Sequence, residues 1–288
     1  MEKCDILIIG AGAAGIAAAR TAYEAGCKSV LLVDRKQKMG GVLLQCAHHG
    51  FGANLNGPEY TEKLLADFPE GVSWCPSTTV LSVSADKTAI LSGPDFGAKE
   101  VTFQQLILAT GCREIPIGAL PIAGTRPKGV YTAGQMQEML NLHGVVPDGP
   151  VVILGSGDLG LIMAKQLAEI GLSVTLVEQR ASCGGMARNQ RCLEEFPIQL
   201  YCGTTISEVF GEKYLEGVMT TDGRYLPCGT LLIAAGLRPD REVVFGLGDP
   251  DWLHVCGNCN AVHPMVEAVV SEGKRAGAAA WEKLRSGL

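Results

Sequence analysis

Two stretches of the chain share one pattern of apolar and glycine positions. Residues 5–15 read DILIIGAGAAG, and residues 151–160 read VVILGSGDLG. In each stretch a short apolar run typical of a buried strand leads into Gly-x-Gly-x-x-Gly, and a helical pattern follows, over 16–25 and 161–170. Because each predicted helix is followed by a glycine, a residue suited to a helix C-terminus, the pattern predicts two strand–turn–helix units in one chain.

The second strand of each unit ends in an acid. Val30–Val33 leads to Asp34, and Val174–Val177 leads to Glu178. In a dinucleotide-binding turn the first glycine forms the bend, the second lets the backbone approach a pyrophosphate, and the third lets the helix pack on the strand. The acid accepts hydrogen bonds from a ribose. The glycines at these positions are Gly10, Gly12 and Gly15 in the first copy and Gly155, Gly157 and Gly160 in the second.

A third element also repeats. Residues 106–111 read LILATG, and residues 231–236 read LLIAAG. Each is a buried-strand pattern that ends in a glycine turn, and either copy alone is also compatible with a plain buried strand. A strand that returns beside the first strand brings such a turn to the ligand crevice. Thr110, Gly111 and Gly236 are therefore further candidates for ligand contact.

Composition narrows the class of partner. The 288 residues suffice for two domains of about 150 residues each. A net charge of −6 and an aromatic content of 6% argue against nucleic-acid partners. The apolar run Ile6–Ile9 is too short for a signal sequence or for a membrane span of about 20 residues, so we expect a cytoplasmic protein without direct membrane insertion. Eleven cysteines, an odd number, indicate reduced thiols.

Taken together, these residues resemble the two-dinucleotide-binding flavoproteins, the superfamily of thioredoxin reductase and the pyridine nucleotide-disulfide oxidoreductases. The resemblance covers nearly the whole chain. It implies an α/β fold of two Rossmann-like domains, with the NAD domain inserted into the FAD domain. The expected limits are 1–117 and 246–288 for the FAD-binding domain and 118–245 for the NAD(P)-binding domain.

The C-terminal segment carries the part of the pattern that returns to the flavin. Gly257-Asn258 takes the place of the family's Gly-Asp pair, and asparagine brings a donor and an acceptor but no charge. His263-Pro264 resembles the entry to the final helix, because proline suits a first helical turn.

A closer resemblance lies in two segments. Residues 40–52 with 57–60, and residues 257–263, resemble a branch of NAD(P)/FAD-dependent oxidoreductases that accompany anaerobic glycerol-3-phosphate dehydrogenase-like flavoproteins. The resemblance implies an electron-transfer subunit. Its partners would be a flavoprotein dehydrogenase and a small cysteine-rich or iron–sulfur protein.

The resemblance also implies a role for individual residues. Glu178 favours NAD(H) over NADP(H), because it repels a 2′-phosphate, although Arg180 remains able to accept one. The residues expected to hold FAD are Gly10, Gly12, Ala14, Gly15, Asp34, Arg35, Gly41, Val42, Val80, Thr110, Gly111, Gly257, Asn258 and Met265. Those expected to hold NAD(H) are Gly155, Gly157, Leu159, Gly160, Glu178, Arg180 and Gly236. Those expected to shape the flavin environment are Gln45, Cys46, His48 and His263.

The cysteines leave the redox chemistry open. Disulfide reductases of this superfamily carry Cys-x-x-x-x-Cys after the first Gly-Gly pair, whereas Cys46 stands alone there. Cys46 lies near His48 and is either a reactive thiolate or a packed thiol. Cys256 and Cys259 form the chain's single Cys-x-x-Cys, either a redox pair or two buried structural thiols. No metal site is expected, because further ligands at suitable spacing are missing.

The resulting hypothesis is an FAD-dependent oxidoreductase that transfers a hydride between NAD(P)H and FAD and exchanges electrons with a partner dehydrogenase or iron–sulfur protein. Two alternatives remain. One is a self-contained NADH oxidase or peroxidase that uses Cys46, with His48 and His263 as further catalytic candidates. The other is a flavin-binding assembly subunit without catalytic activity.

Overall fold

The computed structural model describes residues 2–287. The strands, in chain order, are β1 Glu2–Ile9, β2 Val30–Val33, β3 Ser73–Cys75, β4 Thr79–Val83, β5 Thr88–Gly93, β6 Gly97–Leu108, β7 Cys112–Glu114, β8 Ala123–Gly124, β9 Val130–Thr132, β10 Val151–Leu154, β11 Val174–Glu178, β12 Gln199–Cys202, β13 Ile206–Phe210, β14 Gly217–Thr220, β15 Tyr225–Pro227, β16 Thr230–Ile233, β17 Leu237–Pro239 and β18 Leu253–Val255. The helices are α1 Ala13–Glu24, α2 Gly57–Leu65, α3 Ala133–His143, α4 Asp158–Glu169, α5 Ala187–Gln190, α6 Cys192–Glu195 and α7 Val266–Ser286.

The chain divides into two compact units, one inserted into the other. The first unit runs up to Arg113 and resumes at Arg238, and the second is Glu114–Leu237. The limits expected from sequence, 117 and 245, lie four and eight residues further along the chain. Those limits followed proline-rich turns, whereas the units change at the short strands β7 and β17.

The first unit is built on one seven-stranded sheet. Its strands lie in the order β3-β2-β1-β6-β5-β4, and β18 also pairs with β6. β3, β2, β1, β6 and β18 pair in parallel, whereas β5 is antiparallel to β6 and β4 to β5. β2 is wholly apolar because a parallel strand in such a fold is covered on both faces. Ile6, Leu32 and Ile107 lie fully buried in its core.

Helices α1 and α7 pack closely against one another through small residues. A Cβ atom added at Gly273 would lie 2.2 Å from the carbonyl oxygen of Ala14, and one added at Gly277 would lie 2.3 Å from that of Ala18. The two glycines therefore permit a backbone approach that any side chain would prevent. This packing explains the alanine-rich sequence of α1, and it holds α7 beside the amino end of that helix.

The second unit contains a five-stranded parallel sheet in the order β12-β11-β10-β16-β9. A smaller four-stranded sheet follows the order β15-β14-β13-β8. Ile153, Leu161, Leu176 and Leu232 are fully buried in one core cluster of this unit. The expected α/β class with two Rossmann-like units is confirmed. Within residues 2–287, no helix combines the length and apolar character that crossing a membrane requires.

Candidate functional site

The first glycine turn has one open position between two crowded ones. Gly10 adopts φ 103°, and a Cβ atom there would lie 2.4 Å from the carbonyl oxygen of Ala109. A Cβ atom at Gly15 would lie 1.8 Å from the carbonyl oxygen of Gly10. At Gly12, by contrast, a Cβ atom would meet nothing within 4 Å. The first and third glycines are thus required by packing, and the second faces space that a ligand would occupy.

The second glycine turn repeats this geometry. Gly155 adopts φ 106°, and its added Cβ atom would lie 2.4 Å from the carbonyl oxygen of Ala234. The corresponding distance from Gly160 to the carbonyl oxygen of Gly155 is 2.1 Å. Gly157 again faces open space, with nothing within 4 Å. The internal repeat of the sequence is therefore also a repeat of three-dimensional structure.

Each acid fastens its own glycine turn. The carboxylate of Asp34 accepts the N–H of Ala11 at 2.7 Å and that of Lys36 at 2.8 Å. The carboxylate of Glu178 accepts the N–H of Ser156 at 2.9 Å and that of Arg180 at 3.0 Å. Both acids consequently stand beside the open glycine position, where a ribose hydroxyl is expected.

Glu178 is held more tightly than its counterpart. It also accepts the hydroxyl of Ser156 at 2.6 Å and the Nε of Arg180 at 3.0 Å. Burial alone would raise the pKa of Glu178, but the hydrogen bonds from Arg180 and Ser156 outweigh it and lower the pKa to about 2. Ser156 is fully buried, and its role was not foreseen from the sequence.

Segments distant in sequence meet at the amino end of α1. An added Cβ atom at Gly41 would lie 3.0 Å from the Cα of Gly12, and one at Gly257 would lie 2.8 Å from the Cβ of Ala14. The N–H of Thr110 lies 3.1 Å from the Cβ position of Gly10. The structure thus brings these expected FAD-site residues together within the first unit.

The other expected residues of the first unit differ in exposure. Arg35, Val42 and Met265 are exposed, and Val42 keeps 60% of its surface accessible. Val80 is half-buried in β4, and Gly111 adopts φ 79° with open space beside it. Gln45 ends a short 3₁₀ turn that begins at Gly41.

The C-terminal segment is anchored by an acid that the sequence pattern did not indicate. Glu272 of α7 accepts the N–H of Gly257 at 2.8 Å, and its other oxygen lies 3.0 Å from Nε2 of His263. The amide oxygen of Asn258 accepts the N–H of His263 at 3.0 Å. The missing charge at Asn258 is therefore accompanied by a carboxylate fifteen positions after Gly257, which orders the same turn.

Cys46 lies in an environment that opposes thiolate formation. Its thiol is buried and donates to the carbonyl oxygen of Val42 at 3.3 Å. Burial raises the pKa of Cys46 to about 12, whereas a reactive thiolate requires a lowered pKa. The reactive-thiolate interpretation is therefore corrected: at neutral pH this residue is a packed thiol. The ring of nearby His48 lies 5.1 Å from that of Phe51, centroid to centroid.

Cys256 and Cys259 are also buried thiols. Their sulfur atoms lie 3.7 Å and 3.1 Å from the carbonyl oxygen of Leu108. Burial raises the pKa of both thiols. These contacts favour structural thiols over a redox pair. Among residues 2–287, no three histidine, cysteine or acidic side chains are grouped as a metal site would need.

The amino ends of α1 and α4 differ in charge. Helix α1 has Gly12 as its N-cap, without a side-chain cap and without an acid in its first turn. Its free N–H groups therefore fit an anionic pyrophosphate well. Helix α4 has the equivalent cap at Gly157 but begins with Asp158. Leu159 is half-buried in that first turn, and Gly236 accepts the N–H of Ile115 with φ 119°.

Solved structures with the same fold include two thioredoxin reductases. The enzyme from T. acidophilum aligns with a TM-score of 0.79 at 19% identity, over 99% of this chain and 100% of that one. The enzyme from Lactococcus lactis aligns with a TM-score of 0.80 at 21% identity, over 98% and 99%. At this level of identity the likeness shows the fold alone.

Similar sequences among curated proteins are components of larger enzymes. The opine oxidase of Agrobacterium tumefaciens (strain Ach5) has one that is 28% identical, over 83% of this chain and 53% of the relative. The HcnB component of the hydrogen cyanide synthase of Pseudomonas aeruginosa is 31% identical over 84% and 59%. The alpha component of the sarcosine oxidase of Rhizobium meliloti (strain 1021) is 32% identical over 82% and 24%. The chain spans about half the length of the first of these relatives and less of some others.

A family model covers most of the chain. Residues 4–249 match the model described as pyridine nucleotide-disulphide oxidoreductase. The match includes both glycine turns, both acids and the inserted second unit. It agrees with the fold and with the repeated turn geometry, and on this basis the chain belongs to the pyridine nucleotide-disulphide oxidoreductase family.

Proposed function

We propose that this chain holds FAD at the glycine turn of its first unit and NAD(H) at that of its second, and transfers a hydride between them. The observation that carries the proposal is the repeated geometry of the two turns, each with a crowded first and third glycine and an open second one at Gly12 and Gly157. Such a turn fits a dinucleotide pyrophosphate, and the chain has two.

The first turn suits the flavin nucleotide because its helix start is neutral and uncapped, and because it is surrounded by residues of three further segments. Thr110, Gly41 and Gly257 would hold FAD together with Asp34. When bound, the flavin accepts or donates the hydride, and the protein supplies binding, orientation and exclusion of water.

The second turn suits NAD(H). Glu178 is a buried carboxylate beside the open glycine position, and its negative charge disfavours a 2′-phosphate. Arg180 donates to Glu178 and so neutralises part of that charge, which makes NADP(H) a weaker alternative.

We propose further that the chain works as an electron-transfer subunit. The curated relatives are named as subunits, and this chain spans only part of each. The partners would be a flavoprotein dehydrogenase and a small cysteine-rich or iron–sulfur protein, as in the branch that accompanies glycerol-3-phosphate dehydrogenase-like flavoproteins. The buried thiol of Cys46 gives little support to a self-contained peroxidase.

An anaerobic spectral titration of the purified chain with NADH and NADPH tests the proposal. The expected result is a yellow protein that NADH bleaches at lower concentration than NADPH. A yellow protein that neither nucleotide bleaches would contradict hydride transfer and favour the non-catalytic role in assembly. A colourless protein that cannot be reconstituted with FAD would overturn the assignment of the first turn.

A further inference from the structure

The internal repeat extends beyond the acids to a second pair of glycines. Gly40-Gly41 and Gly184-Gly185 each begin six positions after the acid of their copy. The N–H of Gly40 donates to the carbonyl oxygen of Ala11 at 2.7 Å, and the N–H of Gly184 donates to the hydroxyl of Ser156 at 2.8 Å. Each pair therefore folds over the glycine turn of its own copy.

In the second copy this covering segment is tied to the start of α4. We call residues 183–190 the strap. Oδ1 of Asp158 accepts the N–H of Met186 at 2.7 Å and the side-chain amide of Asn189 at 2.6 Å. The strap is also closed on itself, because the amide of Gln190 donates to the carbonyl oxygen of Gly184 at 3.1 Å.

The first copy has no such tie. The residue equivalent to Asp158 is Ala13, which is buried and carries no charge. The difference therefore lies in one side chain at the first residue of the helix, while the glycine turns themselves have the same geometry.

A carboxylate at this place uses the donors that a phosphate needs. Both groups accept charge-assisted hydrogen bonds from backbone N–H and amide donors, and both are favoured at a helix amino end. Asp158 already occupies Met186 and Asn189 of the strap. A pyrophosphate at the open position over Gly157 would meet a like charge at the next residue.

We propose that Asp158 competes with the pyrophosphate of the nicotinamide dinucleotide for the N–H of Met186 and the amide of Asn189. The inference rests on the proposed function of the second turn. Binding then exchanges one anion for another at the same donors. This exchange makes the second cofactor weakly held and replaceable, whereas the uncharged first turn retains its cofactor.

Calorimetric titration of the FAD-loaded protein with NAD⁺ and with ADP-ribose tests the proposal. Asp158→Asn keeps an acceptor oxygen for the strap but removes the charge, and we expect about fivefold tighter binding of both probes. Asn189→Ala removes a donor, and about fivefold weaker binding is expected. Glu169→Gln is the matched control, since it makes the same charge change at the far end of α4, and it should leave both affinities unchanged.

The outcomes separate this proposal from the function on which it rests. Wild-type binding with no gain in Asp158→Asn would overturn the competition and leave the NAD(H) site intact. Binding by Asp158→Asn where the wild type binds neither probe would support it. If neither protein binds, both ideas fail together. Hydrogen exchange at the amide of Met186 provides a readout of the strap, and Asp158→Asn should raise its exchange rate while the melting temperature stays within a few degrees.

Discussion

The two glycine turns of this chain share one backbone but differ in the charges around it. In the first copy the helix begins with Ala13, and Asp34 is held only by backbone N–H groups. In the second the helix begins with Asp158, and Glu178 is held by a hydroxyl and a guanidinium as well. One motif thus serves two sites that we expect to differ in how tightly they retain a cofactor.

The backbone similarity extends to individual hydrogen bonds. The N–H of Gly10 donates to Val33 at 2.8 Å, and the N–H of Gly155 donates to Val177 at the same distance. Glycine spacing and buried strands therefore determine the turn, because they leave the backbone a single compact path. The side chains around the turn are free to differ, and they set the charge that a ligand meets.

The largest effect is expected from filling the open glycine positions. Gly12→Ala and Gly157→Ala place a methyl group where the protein itself has nothing within 4 Å. Each should weaken its own cofactor about 100-fold, or about 2.7 kcal/mol, while the unliganded protein melts as before. Flavin content and NADH titration measure the two losses separately. Loss of both cofactors in one variant would break the assignment of one cofactor to each turn.

A smaller effect is expected from the two acids. Glu178→Gln places an amide against N–H donors, which should lower the free energy of unfolding by about 2 kcal/mol at pH 7; Asp34→Asn, less buried, should cost about 1 kcal/mol. The pKa of Glu178 is lowered from 4.5 to about 2. Its contribution is therefore fully present above about pH 4.5 and is lost as the pH falls toward 2.

Denaturant unfolding at pH 7 and pH 3 measures this dependence. The gap between wild type and Glu178→Gln should narrow at pH 3. A gap that stays constant would show that the charge of Glu178 contributes little to the fold.

The preference for one nicotinamide nucleotide should change more modestly. Arg180→Ala leaves the charge of Glu178 unpaired, so NADPH affinity should fall about tenfold while NADH affinity changes less than about threefold. Arg35→Ala, the exposed counterpart after the first acid, is the control and should alter neither. A larger loss for NADH would mean that Arg180 contacts the shared part of both nucleotides.

The smallest effect is expected at Cys46. Cys46→Ser keeps a donor for the carbonyl oxygen of Val42, and the rate of flavin reduction by NADH should stay within about twofold of wild type. Gln190 stands at the equivalent place in the second copy, twelve positions after the acid, and has no thiol. A loss of activity of 100-fold or more in Cys46→Ser would restore the peroxidase alternative.

Much of the fold could be predicted because its signals are local. The helices expected over 16–25 and 161–170 are present as Ala13–Glu24 and Asp158–Glu169. They begin three residues earlier because Gly12 and Gly157 serve as N-caps, so the last three residues of each glycine motif are already helical. The roles of the individual site residues stay predictions that the experiments above address.

The sequence by itself determined two strand–turn–helix units, an acid for each, and their order along the chain, because glycine spacing and apolar runs act over a few neighbouring residues. Tertiary structure alone decided that Cys46 is a buried thiol, that Glu272 holds the turn at Gly257, and that Asp158 ties down the strap. These features depend on burial and on contacts between separated segments. A side chain's neighbours across the fold, not its neighbours in the chain, determine its charge and its partners.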